Sequence, residues 1–345
     1  YRIASKRFTQ KIGIFPNVSL VEARNTARQI LAAVDRGENP SEEKRKRNIV
    51  ISAHKQHTIL SLLEDYDRLQ LSRLKTRAQA NQFLKKFREG FGNVHISNFT
   101  KDDFIRLIDQ YVERVKNTSA NRVHSHVKTF FNWTISRGII ERNPCDRVQK
   151  PCEEKSRERF LSDQEICIFW RATELELEPY GYMARLLLLT GQRLSECAKL
   201  TKSEMRGTNH WHLDSTRTKN GNQHDVFLSI TSQEIVHRTH RVSGSYFFSL
   251  NGHRPVSSFS KPLKRLRKRM HNISENEIPH FTFHDLRRTC ETGLAMLGTP
   301  QSIIDRITNH VSGRGMARVY NMYEYRKEKT EALQKWDKHI RGLIS

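Results

Sequence analysis

Two polar, charged segments interrupt the hydrophobic pattern of this 345-residue chain and decide how it can divide into domains. Residues 39–47 place a proline before a run of glutamates, lysines and arginines, and residues 146–159 combine a second proline with many charged side chains. Such composition is typical of linkers. We therefore predict three domains and two linkers: residues 1–40, a linker at 41–50, residues 51–145, a linker at 146–159, and residues 160–345.

The first two predicted domains carry helical patterns. Ser19 and Glu22 have the spacing of a capping box, and the apolar residues after them recur at helical intervals. Residues 51–143 contain four further amphipathic segments, which are enough to share a bundle core. We expect that core, rather than a base-stacking surface, to take up an aromatic stripe made of Phe130, Phe131 and Trp133.

The third predicted domain mixes helices with a small β component. Ser162 and Glu165 form a second capping pattern, and most of the chain beyond residue 257 has helical spacing. Residues 210–214 and 226–230 alternate as strands, with Lys219-Asn-Gly-Asn as a turn between them. The fold class is therefore predicted to be mainly α with a small β component.

The charge of the chain indicates a polyanionic partner. Lys and Arg number 60 and Asp and Glu number 37, so the formal net charge is +23. Such an excess is typical of proteins that bind nucleic acids. The mean hydropathy is −0.70, and an apolar run of the roughly 18 residues that a membrane span needs is absent from the sequence. The basic part of residues 39–47 is either a solvated tether or a segment that lies along phosphates.

The cysteines and the amino-terminal residues bear on localisation. The five cysteines are odd in number and form no C-x-x-C pair, so we expect neither a disulfide framework nor a zinc motif. The same pattern predicts that the protein resides in a reducing cytoplasm. Residues 1–10 have no apolar stretch, so we expect no secretory signal.

Four short polar motifs stand out in the third domain, and each alone has an ordinary structural explanation. They are Thr190-Gly-Gln-Arg193-Leu-Ser-Glu196 at a helix–helix corner, Lys219 in the predicted turn, His284-Asp-Leu-Arg287-Arg288-Thr289 at a helix start, and His310 followed by Tyr320.

Together and in this order, these motifs resemble the tyrosine recombinase (phage integrase) family. The positions that match its active-site pattern are Arg193, Lys219, His284, Arg287, His310 and Tyr320. His310 follows Arg287 by 23 residues and Tyr320 follows His310 by 10, and both spacings fit the family. Gly13-x-x-Pro16, Ser19-Leu-x-x-Ala-Arg24 and the tail from Val319 to Trp336 resemble integrases of prophages and genomic islands.

The resemblance implies an architecture and partners. Residues 1–40 would be a partial arm-binding domain, and a helical core-DNA-binding domain at 51–145 would form a clamp on DNA with a catalytic domain at 160–345. Residues 333–345 would dock on a neighbouring subunit, through Trp336 and Leu343. The implied assembly is a homotetramer on double-stranded DNA attachment sites in the bacterial cytoplasm, associated with the nucleoid when bound. Participation of integration host factor and an excisionase stays open.

The resemblance also implies a strand-transfer chemistry without metal, ATP or another cofactor. Arg193 and Arg287 would clamp the scissile phosphate, because a guanidinium offers two parallel charge-assisted donors and stays protonated. Glu196 would support Arg193. These positioned cations would stabilise the transition-state charge, and integration or excision of a prophage or genomic island would follow from two rounds of cleavage and rejoining through a Holliday junction.

Proton transfer and nucleophilic attack fall to the remaining positions. His284 and His310 would donate hydrogen bonds or shuttle protons, since imidazole titrates near neutrality. Lys219 would protonate the leaving 5′ oxygen, although another group in that role stays open. Tyr320 would form a 3′-phosphotyrosine link.

Two departures and a set of predicted DNA contacts complete the expectation. Many family members have Leu-Gly-His where this chain has Thr308-Asn309-His310, which we expect to change only a local turn. Tyr323 and Tyr325 lie near Tyr320, but Tyr320 fits the family spacing best. The predicted contacts to DNA phosphates are Lys261, Lys264, Arg265, Arg267, Lys268, Arg269 and Arg288. The alternatives are chromosome-dimer resolution, a type IB topoisomerase and a catalytically silent DNA-binding regulator.

Overall fold

The chain forms two compact units in the computed structural model, Tyr1–Ser156 and Arg157–Ser345. The structure describes the following residues: 1–3, 6–42, 57–115, 119–154, 158–239, 244–274, 276–310 and 323–345. Within these ranges, every helix falls short of the length and apolar character that a membrane crossing requires.

The first unit begins with a small β-ladder and one helix. Strand β1 (Arg2–Ile3) pairs antiparallel with β2 (Lys6–Arg7), and helix α1 spans Leu20–Asp35. The predicted capping box is confirmed, because Ser19 and Glu22 exchange side-chain and backbone hydrogen bonds. Helix α1 buries none of its residues, so its amphipathic pattern does not by itself build a core here.

Among the described residues from 57 to 154, four α-helices make up most of the first unit, as the apolar spacing predicts. They are α2 (Ile59–Leu69), α3 (Arg77–Phe91), α4 (Lys101–Val115) and α5 (Ser119–Ser136). Phe130 and Phe131 are fully buried against Phe87, and Trp133 packs at the edge of the same core. The expectation that the aromatic stripe belongs to the core is confirmed.

The second unit is built around one buried helix. In α7, every residue from Met183 to Thr190 is buried, which explains why this segment is the most aliphatic in the chain. The helices of this unit are α6 (Asp163–Glu174), α7 (Tyr180–Thr190), α8 (Leu194–Ala198), α9 (Ile230–Thr239), α10 (Ser260–Ile273), α11 (Phe283–Met296), α12 (Gln301–Ile307) and α13 (Arg326–Ile344).

The hairpin of the second unit is shifted from its predicted position. Strands β3 (His210–Leu213) and β4 (His224–Phe227) pair antiparallel, whereas residues 226–230 were expected to be the second strand. His224 is buried beside Gln192, and burial lowers its pKa to about 3, so the ring is neutral. Ile230 is instead 54% exposed and begins α9. Because His224 is polar, the apolar pattern did not include it in the strand, and the predicted strand therefore began two residues too late.

The carboxy-terminal helix packs inside its own unit in this single chain, and docking of residues 333–345 on a neighbouring subunit stays a prediction. Trp336 is 2% exposed, and its indole N–H donates to the Leu188 carbonyl at 2.9 Å. Its ring lies so close to Gly293 that a Cβ there would come within 2.2 Å of it. In the single chain, therefore, Trp336 completes the core of its own unit.

Candidate functional site

The corner between α7 and α8 carries the first predicted motif. Gly191 ends α7 with φ +64°, a conformation that favours glycine, and a Cβ there would lie 3.1 Å from the Cys290 sulfur. Arg193 is the residue before α8, and the buried carboxylate of Glu196 accepts from its backbone N–H at 3.2 Å and its Nη1 at 2.9 Å. Glu196 therefore fixes both the backbone and the guanidinium of Arg193.

Arg287 lies behind this corner on α11. Its side chain is 2% exposed, and it donates from Nη1 to the Gly191 carbonyl at 2.9 Å and from Nη2 to the Thr308 carbonyl at 2.6 Å. Burial lowers the pKa of Arg287, and the nearby positive charge of Arg193 acts in the same direction. Two cations held this close, with one of them desolvated, favour an anion between or beside them.

Residues 308–310 bring the two arginines together. Arg287 donates to the Thr308 carbonyl, and Arg193 donates from Nη2 to the Asn309 carbonyl at 3.1 Å. His310 follows directly, and its backbone N–H donates to the Asp305 carbonyl at 2.8 Å. The structure therefore places Arg193, Arg287 and His310 around one short segment.

Glu291 is a member of this group that the sequence analysis missed. Its Oε1 lies 3.1 Å from Nε of Arg287 and 3.6 Å from Nδ1 of His310. The His310 pKa is lowered, chiefly by the burial of one side of the ring and by the charge of Arg287, while Glu291 opposes that shift. Glu291 stands four residues after Arg287 on a helix, so the i, i+4 spacing was an available signal.

The turn between β3 and β4 carries Lys219, whose side chain is exposed. The adjacent Asn220 donates from Nδ2 to the Asn309 backbone carbonyl at 3.1 Å and to the Asn309 side-chain oxygen at 2.8 Å. Because Arg193 donates to that same backbone carbonyl, Asn220 anchors the turn beside the arginines. Asn220 is a second residue that sequence reasoning missed, and no spacing pointed to it.

Asn309 explains the departure from the Leu-Gly-His pattern. It has φ +51°, in the left-handed region that glycine adopts most readily and that asparagine tolerates better than most residues. The substitution therefore keeps the turn and adds a side chain that bonds Asn220. The expectation that this sequence change affects only a local turn did not include the hydrogen bond between the Asn309 and Asn220 side chains.

His284 lies in the first turn of α11, three residues before Arg287, and is exposed. Protein atoms that crowd one side of the ring, together with the charges of Arg287 and Arg288, lower its pKa. The neutral form is therefore favoured until an anion arrives. A bound phosphate would oppose the effect of these two charges, raise the pKa of His284 and favour its protonated form, which donates hydrogen bonds from both ring nitrogens.

Tyr320 lies outside the described residues, but both alternative tyrosines are described. The Tyr323 hydroxyl donates to Glu328 at 3.2 Å, and the pKa of Tyr323 is raised by loss of hydration and by Glu328. The Tyr325 ring stands under the guanidinium of Arg306, at 4.0 Å from its centroid. The cation–π contact suits a packing role for Tyr325, whereas Tyr323 is 55% exposed and its raised pKa disfavours the phenolate. Tyr320 as the nucleophile stays a prediction.

The basic helix α10 divides into exposed and paired cations. Arg265 and Arg269 both bind the carboxylate of Glu176, whose side chain is 2% exposed. These two predicted DNA contacts are therefore engaged within the protein, because a buried carboxylate needs positive partners. Arg288 lies 3.6 Å from Asp285, and Arg267 is half-buried. The exposed cations of the set are Lys261, Lys264 and Lys268.

A separate histidine–aspartate group lies on the hairpin. Asp225 Oδ1 is 2.7 Å from His210 Nε2 and 2.7 Å from His212 Nδ1. Among the described residues, these three side chains are grouped tightly enough to hold a metal ion. The sequence prediction of no metal site rested on the cysteine pattern and on the strand-transfer chemistry, and it did not consider these three residues.

Comparison with known proteins places this architecture. The family model of the phage integrase family matches residues 165–326. The models of an arm DNA-binding domain and of the phage integrase central domain match residues 1–47 and 52–151. The prophage integrase IntZ of Escherichia coli K12 is 24% identical, with 100% of this chain and 86% of that protein covered. The integrase of Escherichia phage lambda is 23% identical over 81% of this chain and 78% of that protein.

Solved structures show the same fold. A lambda integrase tetramer bound to a Holliday junction matches with a TM-score of 0.64 at 19% identity, covering 86% of this chain and 89% of that one. The Tn1549 transposon integrase in complex with circular intermediate DNA matches with a TM-score of 0.60 at 18% identity, covering 79% and 98%. The chain thus belongs to the phage integrase family and is a tyrosine-type site-specific recombinase of the prophage integrase kind.

Proposed function

We propose that this recombinase cuts and rejoins DNA at attachment sites to integrate or excise a prophage or genomic island, with its active site at residues 193, 219, 284, 287, 310 and 320. The observation that carries the proposal is that Arg193 and Arg287 bind the backbone carbonyls of Asn309 and Thr308, directly before His310. Residues from helices far apart in sequence meet there and concentrate positive charge, as a phosphodiester requires.

The two arginines differ in how they would bind the phosphate. Arg287 donates one N–H of Nη1 to the Gly191 carbonyl and one N–H of Nη2 to the Thr308 carbonyl, and its Nε lies 3.1 Å from Glu291 Oε1. One N–H remains on each terminal nitrogen, which is the pair that a bidentate phosphate contact uses. Arg193 is more accessible, with a side chain 19% exposed, and Glu196 holds it in place.

The proposed reaction exchanges the phosphodiester bond of one DNA strand for a phosphodiester bond to Tyr320, so the bond energy is retained. The Tyr320 hydroxyl gives its proton to His284 or His310 as its oxygen attacks phosphorus, the bond to the 5′ oxygen breaks, and that oxygen takes a proton from Lys219. His284 and His310 donate hydrogen bonds to the non-bridging oxygens or relay protons. Attack by a second 5′ hydroxyl reverses these steps on a new strand, so ATP is not consumed.

We further propose the assembly and the division of labour along the chain. The relatives include an integrase tetramer on a Holliday junction, which supports a homotetramer on DNA for this chain. Residues 1–40 would bind arm sites, residues 51–145 core sites, and residues 160–345 would catalyse. Lys261, Lys264 and Lys268 are the α10 cations exposed for phosphate contact. Integration host factor and an excisionase belong to this proposal as partners in the bacterial cytoplasm.

A covalent-trapping experiment tests the assignment of the nucleophile. Tyr320→Phe removes one oxygen, so it should abolish the protein–DNA adduct formed with a nicked suicide substrate while DNA affinity stays unchanged. Tyr323→Phe and Tyr325→Phe are the matched controls, and both should form the adduct on a denaturing gel. An adduct formed normally by Tyr320→Phe, and lost in one of the controls, would move the nucleophile to that control position.

A further inference from the structure

The two strands of the hairpin place three potential metal ligands on one face. His210 and His212 are two residues apart on β3, so their side chains share a face, and Asp225 stands directly opposite His212 on β4. Both imidazoles reach the same carboxylate oxygen, Oδ1 of Asp225, at 2.7 Å. All three side chains therefore converge on a single point between the strands.

We propose that His210, His212 and Asp225 bind a divalent transition-metal ion, with Zn²⁺ the best match, at the base of the hairpin. Imidazole nitrogen and carboxylate oxygen are ligands that Zn²⁺ prefers, and three of them with one water complete a tetrahedral site. The three ligand atoms lie within 4.8 Å of one another. Bonds of about 2.0–2.1 Å require ligand atoms roughly 3.4 Å apart, so each ring would withdraw from Asp225 by under about 1 Å.

The surroundings orient the ligands and leave an entry path. The His210 ring stacks on Phe227, with 5.2 Å between centroids, so one ligand is held in place from outside the group. The three side chains are 15–22% exposed, which allows an ion and a water ligand to enter.

The nearby cations set a limit on the affinity. Lys329 Nζ lies 3.3 Å from the backbone carbonyl of Asp225 and leaves the carboxylate to the histidines, and burial lowers the pKa of Lys329. The Arg326 guanidinium lies 5.1 Å from the centre of the Phe227 ring, on which His210 stacks. A single carboxylate beside these charges predicts moderate rather than very tight binding, with the affinity decreasing as the histidines become protonated.

An ion here would join the two strands that carry the turn with Lys219. It would take no part in the phosphate chemistry, because the ligands lie on the strands and not among the residues around 308–310. Its expected effect is to stiffen the hairpin. That consequence rests on the proposed role of Lys219, whereas metal binding itself does not.

Calorimetric titration of the full chain, stripped of metal with a chelator, tests the site with ZnCl₂. We expect one equivalent to bind, and CoCl₂ to give the visible absorption of a tetrahedral site. Asp225→Asn and His212→Asn should each weaken binding by more than about 100-fold, because each removes one of three ligands. His253→Asn is the matched control, since His253 is an exposed histidine of the same unit outside the group.

The outcomes separate a metal site from an ordinary hydrogen-bonded group. Hydrogen exchange of the amides at 210–227 should slow with Zn²⁺ in the parent and in His253→Asn, and stay unchanged in Asp225→Asn. Absence of saturable binding by the parent, or binding that survives both ligand variants, would overturn the proposal. Circular dichroism of each variant without metal shows whether it is folded. Loss of binding with normal adduct formation on DNA would leave the proposed function intact, which keeps the two tests distinct.

Discussion

Glu291 offers the sharpest test of how the site is held together, because one carboxylate contacts both a buried arginine and a histidine. We expect Glu291→Gln to weaken the second unit and to change the pH dependence of cleavage. The substitution keeps the shape of the side chain and removes its charge. Arg287, at 2% exposure, would then keep its two carbonyl partners and lose its anionic one.

The size of the effect on stability follows from these contacts. Breaking a buried ion pair by removing one partner costs about 3–5 kcal/mol. Glu291 is 23% exposed, and the carbonyls of Gly191 and Thr308 still solvate the guanidinium, so the cost should be lower, about 2 kcal/mol. For a unit of this size that corresponds to a decrease in Tm of about 4–8 °C.

Glu174→Gln is the matched control. Glu174 contacts Arg185 at 3.1 Å, the same separation as Glu291 from Arg287, but its side chain is 58% exposed. Arg185 is 10% exposed but keeps Thr173 and the Trp170 carbonyl as partners, and the solvated carboxylate of Glu174 should add only about 0–1 kcal/mol, so this variant should unfold close to the parent. Tryptophan fluorescence reports mainly on the second unit, because Trp170, Trp211 and Trp336 belong to it and Trp133 alone lies in the first unit. Equal shifts in both variants would refute the argument from burial.

The pH dependence has a definite sign. Glu291 raises the pKa of His310 against the effects of burial and Arg287, so removing its charge lowers that pKa further. Any limb of the cleavage profile that belongs to His310 should therefore move to lower pH in Glu291→Gln and stay in place in Glu174→Gln. Single-turnover cleavage across a pH series measures this. An unchanged profile would mean that His310 does not titrate in the reaction or that Glu291 does not act on it.

Further predictions concern the leaving group, the turn, the arm and the charge. Lys219→Ala should slow cleavage by about 10²–10⁴-fold, and a 5′-thio leaving group, which departs without a proton, should restore it; no rescue would exclude Lys219 as the acid. Asn309→Gly keeps the left-handed turn and the backbone bond to Asn220 but loses the side-chain bond, so core-site cleavage should slow while unfolding barely changes, and full activity would show that the side-chain anchor is unimportant. Deleting residues 1–45 should preserve core-site cleavage and reduce recombination between full attachment sites; recombination at the parental rate would contradict an arm-binding role. DNA affinity should decrease steeply with salt, by a slope of roughly −0.9 per neutralised phosphate, and a flat response would contradict phosphate binding.

The sequence predicted what is local and missed what depends on tertiary contact. Capping boxes and apolar spacing identified the helices because they involve residues three or four positions apart. The bounds of β4 were predicted incorrectly because His224 is a polar residue that the fold buries. Arg265 and Arg269 both pair with Glu176, which lies 89 residues before Arg265 in the sequence. A helical pattern contains no information on pairs at such a distance along the chain.

The Asn309 backbone carbonyl links the parts of the site that must act together. It accepts from Arg193 at 3.1 Å and from Asn220 at 3.1 Å, so the residue proposed to bind phosphate and the turn that carries Lys219 share one acceptor. A phosphate that draws the Arg193 guanidinium toward itself would weaken one of these bonds and alter the hold on the turn. Arg287 fixes the preceding Thr308 carbonyl, which keeps the acceptor in place during such a change. Binding of the phosphate and placement of the proposed acid are thereby coupled through a single peptide segment, and the coupling predicts that Asn220→Ala alters cleavage more than it alters DNA affinity.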